Sequence, residues 1–355
     1  MAILKRIILL TLIIFHFTSA QGQIVLIRHA NKDTAYIGEY YSNNLVIRGF
    51  ENTKFNNFKF IDGPDKLIFK PNDHNVFGIG FNYKFIGFNI GVYAPATGKS
   101  FDVYGKTKRL DVQPHMYIHR FVIDLYAQYY HGYYLANANA IRNSTLNDDV
   151  EKRPDIDTRN LNLVVQYVFN DKRFSYNAAF YQNERQIKSA GSFIIGGGIY
   201  HTDISGDSAL TPANLSYANF FNNYRFNACH NTGLGFNGGY AYTLVIKKYF
   251  FLTEVITAGA DINRVSLSAP GSEVQKTDAG LSLNAKLAAG YNSDNYFVGV
   301  TYMRVVTEDH SLAPDSWQEV NTGNFRLTVA KRIRLKKALP LPLPPLPKTD
   351  LIKIE

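Results

Sequence analysis

Cysteine is almost absent from this 355-residue sequence; Cys229 is the only one. No internal disulfide can form, and a Cys-based zinc site is excluded. Tryptophan occurs once and methionine three times. Beyond residue 22 there is no long apolar run, so no transmembrane helix, which needs about 20 apolar residues in succession. Helical periodicity is almost absent too. Acidic charge falls short of basic charge: 29 Asp and Glu face 38 Lys and Arg, a formal charge of +9.

Aromatic residues are plentiful. The chain has 25 Phe and 24 Tyr at a slightly polar mean hydropathy. Membrane-spanning β-strands reconcile these two facts, because only every second residue must face lipid. An export signal stands at the start. Lys5 and Arg6 precede an apolar core, Ile7 to Phe17, broken only by Thr11 and His16. Thr18-Ser19-Ala20-Gln21-Gly22 supplies small residues for cleavage after Ala20 or Gly22. The core is too short to anchor the chain, and no Cys follows it to make a lipoprotein signal. Loss of Lys5 and Arg6 lowers the charge from +9 to +7. On an exported chain, a basic surface points to outer-membrane lipid and lipopolysaccharide, not to nucleic acid.

Period-two alternation recurs along the chain. Phe77, Ile79, Phe81 and Tyr83 share one face and Gly78, Gly80 and Asn82 the other. Leu161, Leu163, Val165, Tyr167 and Phe169 oppose Asn162 and Gln166. Leu281, Leu283, Ala285 and Leu287 oppose Ser282, Asn284 and Lys286. The segments run to roughly 9–15 residues, where an ordinary strand has about 5–6 and a tilted membrane strand needs about 9–11. The pattern predicts an all-β fold, an antiparallel transmembrane β-barrel.

Strand candidates lie near 44–50, 75–84, 87–94, 106–118, 121–131, 159–169, 174–184, 192–202, 228–246, 249–262, 277–291, 296–306 and 322–334. These are thirteen, whereas bacterial single-chain barrels carry an even number. Twelve is the expected count and fourteen the alternative. The mismatch lies between Lys172 and Lys247, where three candidates fall and short turns on one side require an even number, so either a further strand lies in Ser216–Cys229 or two of the segments are one bent strand. Short connections at Lys84–Ile86, His119–Arg120, Asn170–Lys172, Lys247–Lys248 and Asn292–Asn295 alternate with long ones at Pro95–Gly105, Gly132–Thr158, Ser205–Asn227 and Thr307–Asn321. The expected organisation is a signal peptide over 1–22 and an N-terminal periplasmic segment over 23–74 with a weak first-strand candidate. The barrel follows over 75–334, then a basic, Pro-rich periplasmic tail over 335–355. Residues 338–348, Ala-Leu-Pro-Leu-Pro-Leu-Pro-Pro-Leu-Pro-Lys, favour polyproline II and cannot join a sheet.

Two motifs are set aside. Leu26-Ile27-Arg28-His29-Ala30 has the Arg-His pair of a histidine phosphatase, but the alternating helices and strands of that fold do not follow. Ala94-Pro95-Ala96-Thr97-Gly98-Lys99-Ser100 has Tyr93 where a phosphate loop needs Gly, and a strand is expected after it. His201 near Ser205 and His115 near His119 suggest no triad by spacing, since triads are set by geometry. No catalytic residue, metal ligand or cofactor is assigned. The parity of the strands directs Asp124, Tyr126, Gln128, Glu254, Asn284, Lys286 and Arg326 into the lumen. Buried charges must pair or line water, so these residues make either a salt-bridged filling or a polar pore wall.

Gly105-Lys106-Thr107-Lys108-Arg109-Leu110-Asp111, then Asp124-Leu125-Tyr126, then Tyr129-Tyr130-His131-Gly132-Tyr133-Tyr134 resemble a family of Gram-negative outer-membrane proteins known only as a domain of unknown function. Ser189-Ala190-Gly191-Ser192 and Gly239-Tyr240-Ala241-Tyr242 resemble it more weakly, and the similarity runs from about Asp33 to Ile333. It implies a barrel and export, and no activity or site residue. Outer-membrane barrels often end on an aromatic residue that the barrel-assembly machinery reads; here Arg332-Ile333 ends the last strand instead. The expected function is a passive or ligand-binding pore. The alternatives are an envelope-anchoring barrel, with the tail touching peptidoglycan or a periplasmic partner, and a lipid-modifying enzyme.

Overall fold

The structure, a computed structural model, describes residues 21–28, 32–38, 44–72, 75–83, 86–94, 98–118, 120–137, 150–212, 215, 217, 219–310 and 315–336. Alternation governs it. A strand turns successive side chains to opposite faces, so Leu281, Leu283 and Leu287 present one exposed apolar face on a single strand. A sheet of such strands is stable in hydrocarbon only if it closes, because an open edge would leave backbone groups unpaired.

Among the described residues, fifteen strands make one sheet. They are β1 (Gln21–Arg28), β2 (Asn44–Asp62), β3 (Asp65–Lys70), β4 (Val76–Tyr83), β5 (Ile86–Tyr93), β6 (Lys108–Val112), β7 (His115–Ile118), β8 (Phe121–Leu135), β9 (Glu151–Val168), β10 (Ala190–Ser205), β11 (Ala228–Ile246), β12 (Phe250–Ala269), β13 (Ser272–Asn292), β14 (Tyr296–His310) and β15 (Ser316–Arg334). β15 pairs with β2 from Ser316↔Asp62 to Arg334↔Asn44, and this seam closes the cylinder. The rim at Asn44 and Arg334 is the near rim, and the opposite one the far rim.

β3 and β4 follow the same edge of β2 and act as one broken strand. β6 and β7 do the same along β8, interrupted at Gln113-Pro114, where proline has no N–H for the ladder. With each broken pair taken as one and β1 left aside, twelve strands pair antiparallel, roughly the expected number. β1 is inserted between β5 and β7, parallel to β7. At the far rim β3 bridges β2 directly to β8, so ten strands close the ring there.

Several expectations are corrected. Residues 174–184 are not a strand; Tyr176–Phe180 is a short helix, α2, here preceded in the chain by α1 (Gly98–Tyr104). Ser175 caps α2 by accepting from the Ala178 amide at 3.0 Å, and all five helix residues are buried. The apolar run there reflects burial on every side, not a two-sided strand. Only β10 and β11 then lie between Lys172 and Lys247, and the parity conflict disappears. Residues before 75 already belong to the barrel sheet: β1 lies in it, and the weak candidate at 44–50 is the near half of the 19-residue β2. Its inward face mixes Arg48, Asn52, Lys54 and Asn56 with Phe50 and Phe58, which hides the alternation. α1 stands where a strand was expected after the phosphate-loop look-alike. The Gly132–Thr158 loop shrinks to 136–150, and 138–149 lie outside the described residues. Thr307–Asn321 shrinks likewise to 311–315. The signal core, His29, Ala30, His119 and residues 337–355 also lie outside the described residues.

A bulge on β8 aims side chains into the far rim. The register shifts between His131 and Tyr133, and Gly132 sits at φ +90. A Cβ there would stand 2.2 Å from the Lys106 carbonyl oxygen, so only glycine fits. Tyr130 faces inward before the bulge, and Tyr133 and Leu135 face inward after it.

Candidate functional site

The outward wall is apolar over a band and polar beyond it. On β9 the band is Leu161, Leu163 and Val165, followed toward the far rim by Arg159 and Asp157. Phe193, Ile195 and Ile199 on β10, and Leu234 and Phe236 on β11, continue it. A closed barrel with apolar outer wall and polar interior spans a membrane of the outer-membrane kind. No described helix is long and apolar enough to cross one.

The lumen is occupied at both ends. At the near end the chain between β9 and β10 folds inward. Arg48 donates to Gln182 Oε1 at 2.9 Å, and Arg332 Nη2 donates to the Gln182 carbonyl at 2.8 Å and to Asn292 Oδ1 at 2.8 Å. Asn82 donates to the Tyr181 carbonyl at 2.9 Å. Phe174, Tyr176, Phe180 and Tyr181 pack against inward side chains from Val46 on β2 round to Ala330 on β15. At the far end, Leu210, Leu215, Phe220, Phe221 and Phe226 meet Phe58, Phe60, Phe69, Tyr130 and Tyr133. That cluster also takes Ile156, Ile204, Cys229, Leu267 and Val320, and so spans the mouth.

Between the two lids lie cavities. One is walled by Tyr126, Asn162, Asn237, Asp261, Asn284 and Thr322, among others. A second, smaller one lies toward the seam between β2 and β15. Six of the seven residues expected in the lumen face it. Asp124 is buried, with His115 Nδ1 at 2.5 Å and Lys286 Nζ at 3.0 Å. Lys286 stands over the Tyr176 ring of the near lid, 5.3 Å from its centre. Gln128 donates to Asp111 at 3.1 Å. Tyr126 and Asn284 line the larger cavity. Arg326 lies against Phe50, 4.2 Å from the ring centre, and lines the smaller one.

Glu254 is the exception. It is exposed on the outward face of β12, between Leu252 and Ile256, and pairs across strands with Tyr242 and Leu287. The error is one of parity: Phe251 and Val255 make the inward face of β12 apolar as well, so charge did not distinguish the faces. The sequence reading also missed inward Arg48, Lys54, Arg109, Asp111, His115, Asp261, Asp309 and Arg332. Asp309 is held by Asn231 and Asn263, which in turn accepts from Tyr200.

His201 does belong to a polar chain, on the outer wall. Its Nε2 is 3.1 Å from Asp203 and its Nδ1 2.7 Å from Thr232 Oγ1, while His230 Nδ1 is 2.7 Å from Asp203. The order acid, imidazole, hydroxyl is that of a nucleophile relay. These residues stand mid-strand, with β10 paired on both edges, to β9 and to β11. The amides there serve the ladder and are not free to receive an oxyanion, as acyl transfer requires. The group is a polar edge to the apolar band. No three His, Cys, Asp or Glu among the described residues are placed to hold a metal.

Comparison with known proteins gives a family. The family described as Domain of unknown function (DUF4421) matches residues 31–332. No curated protein matches. Among solved structures, the outer membrane protease OmpT of Escherichia coli is 8% identical at a TM-score of 0.37, covering 83% of this chain and 98% of its own. The translocator domain of the autotransporter NalP of Neisseria meningitidis is 9% identical at 0.32, covering 81% and 88%. The toluene transporter TodX of Pseudomonas putida is 8% identical at 0.24, covering 81% and 89%. Nothing of their activities is carried over.

Proposed function

The chain belongs to the DUF4421 family, whose description assigns no activity, and from the geometry we propose that this outer-membrane barrel is a gated, ligand-holding chamber and not a standing open pore. The observation that carries the reading is the unequal pair of lids over polar cavities. A twelve-stranded barrel has a narrow bore, which side chains and loops can fill. Here the far lid is an aromatic cluster, and the near lid joins its own rings, Phe174, Tyr176, Phe180 and Tyr181, to a set of hydrogen bonds from Arg48 and Arg332. Polar contacts exchange with water at little net cost, about 0.5–1.5 kcal/mol each, so the near lid is the part that moves. The far rim faces the cell exterior in this reading, and the outward belt with Arg159 and Arg264 meets lipid headgroups.

Planar-bilayer recording on the refolded chain tests it. The wild type should pass little current, with brief openings at most. Replacement of residues 174–186 by a short Gly-Ser linker should give a steady conductance. A wild type that conducts continuously, or a shortened variant that stays closed, would sink the proposal.

A further inference from the structure

The larger cavity between the lids has an acidic lining. Asp124 and Asp261 are among its walls, and no Lys, Arg or His is. Asp124 is answered by His115 and Lys286. Asp261 has no such answer. It is 5% exposed, the groups beside it are the neutral hydroxyls of Ser282 and Tyr200, and its Oδ2 has no hydrogen-bond partner. A second acid lies close by. Asp309 is fully buried, is held by the side-chain amides of Asn231 and Asn263, and is near enough for its charge to repel that of Asp261. A buried carboxylate without a counter-charge is costly, and a like charge nearby adds to the cost. The strands are nevertheless shaped to keep both acids. Gly235 stands opposite Asp261 across β11 and β12, and Gly280 opposite Asp309 across β13 and β14. A Cβ at Gly235 would collide with Asp261 Oδ1, and one at Gly280 would come within 2.8 Å of Asp309 Oδ1. Glycine is what allows the close approach.

The rest of the lining tells what kind of cation would fit. Tyr126 and Tyr200 bring aromatic rings to the same space, and Val164 and Val305 bring apolar surface. Asn162 and Asn284 also line it, and the Oδ1 of each has no hydrogen-bond partner. A carboxylate and ring faces attract positive charge. Amide oxygens accept from N–H groups, which an ammonium supplies in threes. Valine side chains suit a short carbon chain. A metal ion is served less well, because no three His, Cys, Asp or Glu among the described residues are placed to hold one.

We propose that the cavity walled by Tyr126, Asp261 and Asn284 binds an organic ammonium, a protonated amine on a short carbon chain, with Asp261 as its counter-charge. The proposal rests on the chamber reading and names the ligand class for it. The amine supplies the positive charge that the protein itself does not bring to Asp261, and the lining that lacks Lys and Arg turns anions away.

The test uses the full chain refolded in detergent, with putrescine as the amine probe and magnesium chloride as an inorganic cation of the same charge, at constant ionic strength balanced by sodium chloride. The melting temperature of the wild type should rise saturably with putrescine and stay nearly unchanged with magnesium. Asp261→Asn should lose the rise. In sodium chloride alone it should melt no lower than the wild type, since the amide fills the same space without the buried charge. Glu254→Gln, which removes an outward acid on β12, should keep the rise. No rise with putrescine, an equal rise in Asp261→Asn, or loss of the rise in Glu254→Gln overturns the site. A magnesium rise equal to that of putrescine overturns the amine, because the site would then answer to charge alone. An Asp261→Asn chain that melts well below the wild type, or fails to refold, overturns the premise that the carboxylate lacks a partner. The bilayer recording judges the chamber separately. A barrel that gates as described but ignores putrescine loses this site and keeps the chamber. An openly conducting wild type that still responds through Asp261 keeps the site and loses the closed chamber.

Discussion

At the far rim Phe60 lies among the rings of Phe58, Phe69, Phe221 and Phe226, with centroids 5.7, 6.3, 5.9 and 5.0 Å away. At the near rim Gln182 is suspended between Arg48 and Arg332 by hydrogen bonds. Both segments cover the same lumen, and both bury rings, but the far lid is held by aromatic packing throughout, whereas the near lid adds to its rings a set of hydrogen bonds to arginine. Aromatic packing has no substitute in water and is lost as a unit when a ring is removed. A polar contact is replaced by water once the segment withdraws. The stability of the barrel therefore concentrates at the far lid, and the freedom to move at the near one.

The largest effect should follow from breaking the aromatic side. Phe60→Ala removes a fully buried ring from the centre of the far cluster. Such truncations cost about 3–5 kcal/mol. Urea unfolding of the refolded barrel, read as a midpoint shift, should show a loss of this size. A loss below that of the near-lid substitution described below would reverse the comparison.

The next test concerns the wall between the lids, since both arguments assume one inward parity from rim to rim. Leu283 is exposed on the outer face and Asn284 lines the cavity. Leu283→Arg should cost about 2–4 kcal/mol if Leu283 lies near the bilayer midplane, and Asn284→Arg much less. Equal losses in the same unfolding assay would mean a register slipped by one residue, because such a slip exchanges the faces.

Much of this wall was legible in the sequence, and the reason is local. β9, β11 and β13 carry apolar residues on one face and polar or small residues on the other, so period two is visible without knowledge of the neighbours. β2 was almost invisible because its inward face serves several masters: Arg48 holds the near lid, Asn52 and Lys54 line a polar cavity, and Phe58 and Phe60 enter the far lid. β12 failed in the opposite way, with apolar residues on both faces, and Glu254 was misplaced. The near lid was misread as a strand because burial on all sides erases any period. Asp124 and Lys286 were found by parity, but that they form one ion pair is a fact of closure, since they stand 162 positions apart in the chain. The cations of the seam come together only when β15 meets β2, which no local pattern records.

A smaller effect is expected at the near lid itself. Arg332→Met leaves the Gln182 carbonyl and Asn292 Oδ1 without a charged donor. An unsatisfied buried acceptor costs about 1–3 kcal/mol, less if water enters as the segment loosens. Global stability should fall by no more than that, while limited trypsin digestion at Arg173 and Lys188, which flank the lid, should quicken. Unchanged digestion with a large stability loss would show that the near lid is part of the rigid core.

The smallest effect is one of pH, at the outer margin of the far lid. Asp155 lies on β9 beyond the apolar band, where Arg153 meets it through Nε and Nη2 at 2.8 Å each. Ser208, at the base of the β10–β11 connection, donates to it through its amide at 3.2 Å and its hydroxyl at 3.1 Å. Partial burial alone would raise the carboxyl, but the bonds and charge of Arg153, with the Ser208 donors, hold it well below the usual carboxylate range. A carboxylate of lowered pKa adds stability that is present above the unfolded-state value, about 3.9, and is lost as pH falls through the folded value. Between pH 7 and 5 the tie should therefore be intact, and below about pH 4 it should weaken. Because Asp155 is partly exposed, solvent screening keeps the contribution small. Protease cutting near Ser208 should quicken below that pH in the wild type, and Asp155→Asn should cut at the faster rate throughout. The near lid, latched by arginines that do not titrate, should show no matching step. A parallel acid step at Arg173 would mean that the two lids are coupled, and the contrast between them would then have to be given up.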